Sequence, residues 1–210
     1  MNRIIIFDFD GVLADSLDSL FALNLEAAKE IGKSLTQEQY LSGFEGHINE
    51  RLADALDLTD DEQDRFVSEK ARLFSQYANH ETIKLFDFAE QMVMDASVLG
   101  ELWIASSSPC EVIKDILNEK NLLQYFTVIN GKNREPKELF FRRALAEHVD
   151  EEVFFITDTV GDIKAAKKTG HKIHLLAVSW GYHHSKLLLN EAPDLFATES
   201  GQVLEYIKSH

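Results

Sequence analysis

Short hydrophobic segments recur at wide intervals along the chain, and amphipathic patterns separate the later ones. These segments cover residues 3–8, 102–105, 126–129, 153–156 and 173–178, and the one at 126–129 is the weakest. The first is an unbroken apolar run, which is typical of a strand buried on both faces of a parallel sheet. Alternation of such strands with helices predicts the α/β fold class, with a doubly wound parallel sheet covered by helices on both faces.

The interval between the first two strands differs, because helical patterns fill most of it. Residues 17–31 carry apolar side chains at a 3.6-residue period, and the pattern stops at Gly32. Capping boxes begin at Thr36 and Thr59, each with Gln or Glu three residues later. The simplest organisation is a Rossmann-like core with an inserted all-helical cap domain, assigned to residues 1–15 and 82–210 for the core and 16–81 for the cap.

Composition and charge narrow the class of protein. The chain has 210 residues, of which 45% are hydrophobic and 27% charged, as in ordinary globular proteins. A formal net charge of −15 argues against nucleic acid or an anionic membrane as the main partner, because both bind basic surfaces. The lone Cys110 supports neither an intramolecular disulfide nor a zinc cluster. The apolar runs are too short for a signal peptide or a membrane span, so the expected location is the cytoplasm.

Two carboxylates, Asp8 and Asp10, follow the first strand and precede Gly11, which allows a sharp turn. Because side chains alternate along a strand, both point to the same side, where they can hold a hard cation beside a potential nucleophile. An EF-hand calcium loop is excluded, since its glycine occupies the sixth position and Gly11 falls fourth. A solvated turn is the alternative, and it is more common for one Asp than for a pair.

Three serines, Ser106, Ser107 and Ser108, follow the second strand. Pro109 suits the first position of a helix, and Ser108 with Glu111 matches a capping box. Ser106 and the backbone N–H groups after it would then lie near a helix N-terminus, which favours anions. The alternative is a loop in which one serine serves only as a cap.

Two further carboxylates, Asp158 and Asp162, follow the fourth strand and precede a helix. Capping of that helix is the favoured role for Asp162, whereas Asp158 directly follows a buried strand and needs a partner. Placing both beside Asp8 and Asp10 would cost roughly 1–4 kcal/mol per close pair of like charges. A shared divalent cation removes this repulsion, so the four aspartates predict a Mg²⁺ site.

Lys137 lies where a helix begins, which is an unfavourable place for a cation that faces solvent. The position becomes reasonable if the side chain points into the acidic cleft. Lys132 and Arg134 are alternative cations for the same role, and an ordinary surface lysine is the simplest alternative of all.

These motifs, taken in order, resemble those of the haloacid dehalogenase-like phosphatase superfamily. The sequence DFDGV from Asp8 resembles its first motif, DxDx[TV], and Ser106 matches the Ser/Thr of the second. Lys137 matches the third-motif lysine, and Asp158 with Asp162 matches the acidic fourth motif. The helical insertion after the first motif is similar to the C1 cap of the phosphoglycolate phosphatase and β-phosphoglucomutase-like branch.

Other segments support or depart from this resemblance. The tail segments AVSWGYH from Ala177 and PDLF from Pro193 are similar to the end of phosphoglycolate phosphatase-like members. The fourth motif has Thr157 where the family usually has Gly, and Pro136 precedes the lysine in the third motif. The adjacent His183 and His184 are interpreted as loop residues.

The resemblance implies a mechanism. Asp8 would attack phosphorus and form an aspartyl-phosphate, while Asp10 would protonate the leaving oxygen and then activate water. Mg²⁺ would be held by Asp8, the Asp10 carbonyl and Asp158, and would neutralise phosphoryl charge. Ser106 and Lys137 would hold the phosphoryl oxygens. True dehalogenases lack the second Asp, so Asp10 favours phosphate-ester chemistry.

Substrate-binding candidates come from both parts of the chain. Ser106, Ser107 and Lys137 would contact the phosphate. The loop GFEGH, which ends at His47, is similar to the cap loop of the family, and Arg51 follows on the next helix. His47 or Arg51 would bind the part of the substrate remote from the phosphate.

We therefore expect a Mg²⁺-dependent phosphatase that acts on a small phosphorylated metabolite. A sugar-phosphate phosphomutase of the same fold would use the same motifs, and analysis of products separates the two. A catalytically silent binding protein is the third alternative. That protein would be expected to lack Asp8 or Asp10, and both are present.

Overall fold

The structure, a computed structural model, describes residues 3–131, 135–170 and 172–210. The strands are β1 (Arg3–Phe7), β2 (Ala14–Asp15), β3 (Lys84–Leu85), β4 (Glu101–Ala105), β5 (Phe126–Asn130), β6 (Glu152–Thr157), β7 (His174–Val178) and β8 (Leu195–Ala197). The helices are α1 (Leu17–Glu30), α2 (Gln37–Gly43), α3 (Ile48–Ala55), α4 (Asp60–Tyr77), α5 (Ala89–Ser97), α6 (Cys110–Glu119), α7 (Lys137–Glu147), α8 (Val160–Lys167), α9 (Ser185–Asn190) and α10 (Ser200–Ser209), with a 3₁₀ turn at Leu123–Tyr125.

Six of these strands form one parallel sheet in the order β5-β4-β1-β6-β7-β8. The chain passes from β1 to β4, moves outward to β5, and returns to β6 on the other side of β1. The carboxyl ends of β1, β4 and β6 therefore meet at the point where the strand order reverses, which is the usual ligand crevice of such sheets. The predicted Rossmann-like α/β fold is confirmed, and β8 is an additional edge strand.

Alternate side chains of the central strand enter two separate hydrophobic layers. Ile5 and Phe7 lie in one layer with residues of α5, α6 and α10, whereas Ile4 and Ile6 lie in the other with residues of α7, α8 and α9. All four side chains are fully buried. Burial on both faces explains why this strand is an unbroken apolar run, and it gives the first site motif a rigid base.

The segment inserted after the first motif is helical as predicted. The capping boxes at Thr36 and Thr59 begin α2 and α4, and Gly32, with φ of +79°, follows the end of α1. The short antiparallel pair of β2 and β3 lies directly outside this segment, at the two points where the chain leaves and re-enters the core. The assignment of residues 16–81 as a separate domain stays a prediction.

Within the described ranges, every helix is too short or too polar to cross a bilayer.

Candidate active site

The carboxyl ends of the central strands bring together side chains that are far apart in the sequence. Asp8 and Asp10 follow β1, Ser106 follows β4, and Asp158 follows β6. Lys137, the first residue of α7, reaches the same place. The topology therefore assembles the predicted groups at the reversal of strand order.

Asp8 is a buried carboxylate held on both oxygens. Its Oδ1 accepts a hydrogen bond of 2.8 Å from the N–H of Phe9, and its Oδ2 lies 2.9 Å from Nζ of Lys137. Burial raises the pKa of Asp8 well above its usual value, although the charge of Lys137 opposes that rise. The neighbouring cation thus favours the ionised form that a nucleophile needs.

Lys137 points into the acidic cleft rather than toward solvent. Its Nζ lies 2.6 Å from Oδ2 of Asp162 in addition to the contact with Asp8. Burial alone would lower the pKa of Lys137, but its attraction to the two carboxylates outweighs burial and raises it. The side chain therefore stays positively charged. The alternative cations, Lys132 and Arg134, lie outside the described residues.

The expected capping role of Asp162 is wrong. Helix α8 begins at Val160 with Thr159 at the N-cap, so Asp162 is already inside the first turn. Its carboxylate accepts hydrogen bonds from Lys137 and, at 3.2 Å, from Oγ1 of Thr157. Burial would raise the pKa of Asp162, but the charge of Lys137 outweighs it and holds the pKa below its usual value.

Asp10 is held differently, by hydroxyl groups. Its Oδ2 accepts hydrogen bonds from Ser108 Oγ at 2.6 Å and from Ser106 Oγ at 3.3 Å. Its Oδ1 is buried and accepts no hydrogen bond from the described residues. Burial raises the pKa of Asp10, which suits a group that must hold a proton and then release it.

The predicted capping box of Ser108 is also wrong. Helix α6 begins at Cys110 with Pro109 at the N-cap, and no side chain caps it. The Ser108 side chain turns to Asp10 instead, while its N–H donates to Ser106 Oγ at 2.9 Å. Ser108 is thus a site residue that sequence reasoning missed. A hydrogen bond to a buried carboxylate stabilises more than an ordinary cap.

Asp158 is fully buried and closely surrounded. Its Oδ2 accepts a hydrogen bond of 2.7 Å from the N–H of Tyr182, whereas its Oδ1 accepts none from the described residues. Burial raises the pKa of Asp158 to about 7. Gly11, with φ of +75°, and Gly181 both approach so closely that an added Cβ at either position would overlap this carboxylate.

This packing gives a prediction for Gly181→Ala. The added methyl group should displace Asp158, so we expect a lower thermal stability. We also expect Mg²⁺ binding at the predicted site to weaken by roughly tenfold or more, the size of effect seen when groups that orient metal ligands are changed. Melting curves with and without Mg²⁺ and calorimetric titration measure the two effects. Gly201→Ala is the matched control, because nothing lies within 4 Å of an added Cβ there. Equal behaviour of the two variants would contradict the role of Gly181.

The carboxylates suit a hard cation by their chemistry. Asp8 and Asp158, with the backbone carbonyl of Asp10, would supply oxygen ligands, and Mg²⁺ characteristically keeps several waters besides. The unpartnered Oδ1 of buried Asp158 is an acceptor that a cation would satisfy. No three His, Cys, Asp or Glu side chains in the described part of the chain form a ready-made metal cage. Asp162, which faces Lys137, is the weakest member of the predicted metal set.

A cleft of about 1170 Å³ lies between the inserted helices and the sheet. Asp10, Lys137 and the three serines at positions 106–108 line its core side, and His47 lines its cap side. Ser107 is exposed within it. Arg51 is directed elsewhere, because its guanidinium lies 3.6 Å from Glu45 and faces the carbonyl of Ser42.

A loop after β7 contributes contacts that were not foreseen. Besides its N–H bond to Asp158, Tyr182 shares a 2.8 Å hydrogen bond between its hydroxyl and that of Ser16. His183 lies in a loop as predicted, but it is buried. Its Nδ1 accepts from the N–H of Val160, and its Nε2 donates to the carbonyl of Leu41. In the sequence, the tail motif AVSWGYH was the one feature that could have pointed to this loop, because it contains both Tyr182 and His183.

Comparisons with known proteins agree with the geometry. The sequence model of the haloacid dehalogenase-like hydrolase family matches residues 5–176. A phosphoglycolate phosphatase from Vibrio cholerae serotype O1 is 23% identical over 220 residues, covering 98% of this chain and 96% of that protein. A phosphoglycolate phosphatase from Pseudomonas fluorescens is 25% identical, and the match covers 93% of this chain and 76% of that protein. A solved haloacid dehalogenase-like hydrolase from Streptococcus pneumoniae superposes with a TM-score of 0.83 at 25% identity over 98% of both chains.

The family match spans all four motifs, from Asp8 to Asp162, together with the helical insertion. It confirms the resemblance that the motifs predicted, and with it the prediction of an enzyme. The chain belongs to the haloacid dehalogenase-like hydrolase family, and over nearly its whole length it is similar to phosphatases of that family, phosphoglycolate phosphatases among them.

Proposed function

We propose that this protein is a Mg²⁺-dependent phosphatase that hydrolyses a small phosphorylated metabolite through an aspartyl-phosphate. The observation that carries the proposal is the different environment of two neighbouring carboxylates. Asp8 is paired with the charge of Lys137, whereas Asp10 is hydrogen-bonded by neutral hydroxyls. One is suited to act as a nucleophile and the other to carry a proton.

In the first step, an oxygen of Asp8 forms a bond to phosphorus as the bond from phosphorus to the ester oxygen breaks. The proton that the leaving oxygen needs comes from Asp10. In the second step, water attacks the phosphorus of the aspartyl-phosphate, and Asp10 takes a proton from that water as the bond to Asp8 breaks. Asp10 returns to its starting state, and inorganic phosphate and an alcohol are released.

The remaining residues bind and orient the phosphoryl group. Lys137 and the hydroxyl of Ser106 would contact its oxygens, with Ser107 at the open side of the cleft. Asp8, the Asp10 carbonyl and Asp158 would hold Mg²⁺, which supplies neutralisation of phosphoryl charge when bound. This division suits phosphoryl transfer, which depends mainly on positioning and electrostatics.

The cleft and the relatives support a small substrate. Two relatives are named phosphoglycolate phosphatase, and we propose a short phosphate ester of this kind for the present chain. His47 lies at the cap side of the cleft and could contact the leaving group. Arg51 could do so only after leaving Glu45.

The proposed role of Asp10 predicts a dependence on the leaving group. Asp10→Asn should slow the transfer of phosphate from an alkyl ester by about 10²–10⁴-fold, the usual contribution of general acid catalysis. An aryl ester such as p-nitrophenyl phosphate should be slowed less, because its leaving group needs little protonation. Single-turnover measurements of the first step with both esters test this. Equal losses for both would count against an acid role.

The function itself is tested by a panel of phosphorylated metabolites with phosphate release and product identity as readouts. Free phosphate together with the dephosphorylated alcohol is the expected result. Isomerised sugar phosphate without free phosphate would establish a phosphomutase instead. A folded, Mg²⁺-loaded protein that releases phosphate from no ester, p-nitrophenyl phosphate included, would overturn the proposal.

A further inference from the structure

We infer that His183 is a positioning residue that fixes two parts of the site at once, the backbone around Asp158 and the end of the inserted helix α2. Each nitrogen of its ring serves one of these parts. The inference rests on the proposed function and extends it, because it assigns a role to a side chain outside the predicted catalytic, metal-binding and substrate-binding set.

The first task concerns the turn that follows β6 and carries Asp158. The N–H of His183 donates to the backbone carbonyl of Asp158 at 3.3 Å, and Nδ1 of its ring accepts from the N–H of Val160 at 3.0 Å. The preceding residue, Tyr182, donates its N–H to the carboxylate of Asp158 at 2.7 Å. One short segment therefore holds both the backbone and the carboxylate of this aspartate, and a fixed backbone limits where the carboxylate can point.

The second task concerns α2, which belongs to the inserted segment. The last carbonyls of a helix lack partners within it, and that of Leu41 accepts a hydrogen bond of 3.0 Å from Nε2 of His183. Three residues further on, the carbonyl of Phe44 accepts a bond of 2.8 Å from the N–H of Gly161. The rings of Phe44 and Tyr182 meet edge to face, with their centres 4.9 Å apart. Phe44 lines the cleft, so the bond from His183 helps to place one wall of the cleft.

These two contacts fix the state of the ring. Nδ1 faces an N–H group and must be unprotonated, whereas Nε2 faces a carbonyl and must carry the hydrogen. The opposite tautomer would set two donors against each other at Val160 and two acceptors at Leu41. His183 is 3% exposed, and a buried donor or acceptor that loses its partner is costly. Each of the two bonds should therefore have a measurable effect of its own.

Two amide variants separate the two tasks. In His183→Asn, Oδ1 lies as many bonds from the backbone as Nδ1 of histidine and can accept from Val160, but the side chain is too short to reach Leu41. In His183→Gln, Nε2 lies as far out as Nε2 of histidine and can donate to Leu41, but the acceptor for Val160 is lost. Each variant thus retains one contact and removes the other.

His183→Asn should loosen α2 and spare the metal site. Amide hydrogen exchange of residues 37–46 should accelerate by about fivefold or more, as expected for the loss of a buried hydrogen bond, while Mg²⁺ affinity in calorimetric titration changes by less than about twofold. His183→Gln should do the reverse, with Mg²⁺ affinity lowered by about fivefold or more and exchange within about twofold of the wild-type rate. With p-nitrophenyl phosphate, His183→Asn should raise KM more than it lowers kcat, because a wall of the cleft moves and the reacting groups do not.

The adjacent His184 provides the matched control. It is exposed and its side chain makes no capping bond to α9, so His184→Asn and His184→Gln should leave exchange, Mg²⁺ affinity and KM unchanged. If a variant of His183 does not fold, the ¹⁵N spectrum of the wild-type protein still tests the arrangement, because its ring should be the tautomer that carries hydrogen on Nε2. The tautomer with hydrogen on Nδ1 would overturn the inference.

Opposite patterns of loss in the two variants would support the two tasks. An equal loss of α2 protection and Mg²⁺ affinity in both variants would reduce His183 to a residue of general stability and overturn the inference, as would the absence of any loss in either. Exchange and calorimetry do not depend on turnover. A wild-type protein that binds Mg²⁺ but hydrolyses no ester, p-nitrophenyl phosphate included, would therefore overturn the proposed function and not the positioning role of His183.

Discussion

Asp8→Asn is expected to lower turnover by roughly three orders of magnitude or more while the fold survives. Asparagine keeps the shape of the side chain and can still accept the hydrogen bond from Phe9, but it lacks the charge that attacks phosphorus. Lys137 would not become an unpaired buried cation, because Asp162 stays 2.6 Å from its Nζ. Steady-state assays with several phosphate esters measure the loss.

The matched control for this variant is Asp150→Asn, which makes the same change at an exposed position and should leave turnover unchanged. Circular dichroism and melting curves establish that both variants are folded. Rapid quenching with a labelled ester should trap phosphate on the wild-type protein and not on Asp8→Asn. Ordinary turnover in a folded Asp8→Asn protein would refute the covalent mechanism.

Removal of Mg²⁺ is expected to abolish activity, and its return should restore it. Asp8 and Asp158 are both buried, and their negative charges repel each other when no cation lies between them. Burial raises the pKa of both carboxyl groups. A divalent cation would neutralise these carboxylates and the phosphoryl group together. Ca²⁺ should restore little, because its longer and looser coordination misplaces the nucleophile.

The variant Asp158→Asn tests the metal requirement without a chelator, which could inactivate the protein for other reasons. The variant keeps the shape that fits between Gly11 and Gly181 but loses a charged ligand, so the Mg²⁺ concentration for half-maximal activity should rise by about tenfold or more. Calorimetric titration with Mg²⁺ provides a readout that does not depend on activity. Full activity in excess chelator, or unchanged Mg²⁺ binding by the variant, would contradict the site.

The sequence predicted the parts of this protein that depend on neighbouring residues. The apolar run of β1 located a buried central strand, and alternation with helices indicated a parallel sheet. Capping boxes at Thr36 and Thr59 located two helix starts correctly. Since parallel strands carry ligands at their carboxyl ends, the positions of Asp8, Asp10 and Asp158 after apolar segments were enough to predict a common site.

Contacts between distant segments were decided only by the tertiary structure. Ser108 has a local reason to cap a helix, worth about 1 kcal/mol, but Asp10, 98 residues away, offers a hydrogen bond to a charged group worth roughly 1.5–3 kcal/mol. Asp162 pairs with the charged Lys137 instead of capping α8, because that contact too is stronger than a cap. Neither competition is visible in a local pattern, because the stronger partner belongs to another strand or helix.

The burial of polar side chains within the inserted helices could not be predicted from the sequence either. The stripe of apolar residues on α4 predicted a packed face, but it did not show that Lys70 would be enclosed with Asn49 at the cleft. The order of the motifs was enough to predict a phosphatase, since each motif is a short stretch at the end of a strand or the start of a helix. The packing of the inserted helices over that edge of the sheet decided which side chains line the cleft, because those contacts join residues that are far apart in the sequence.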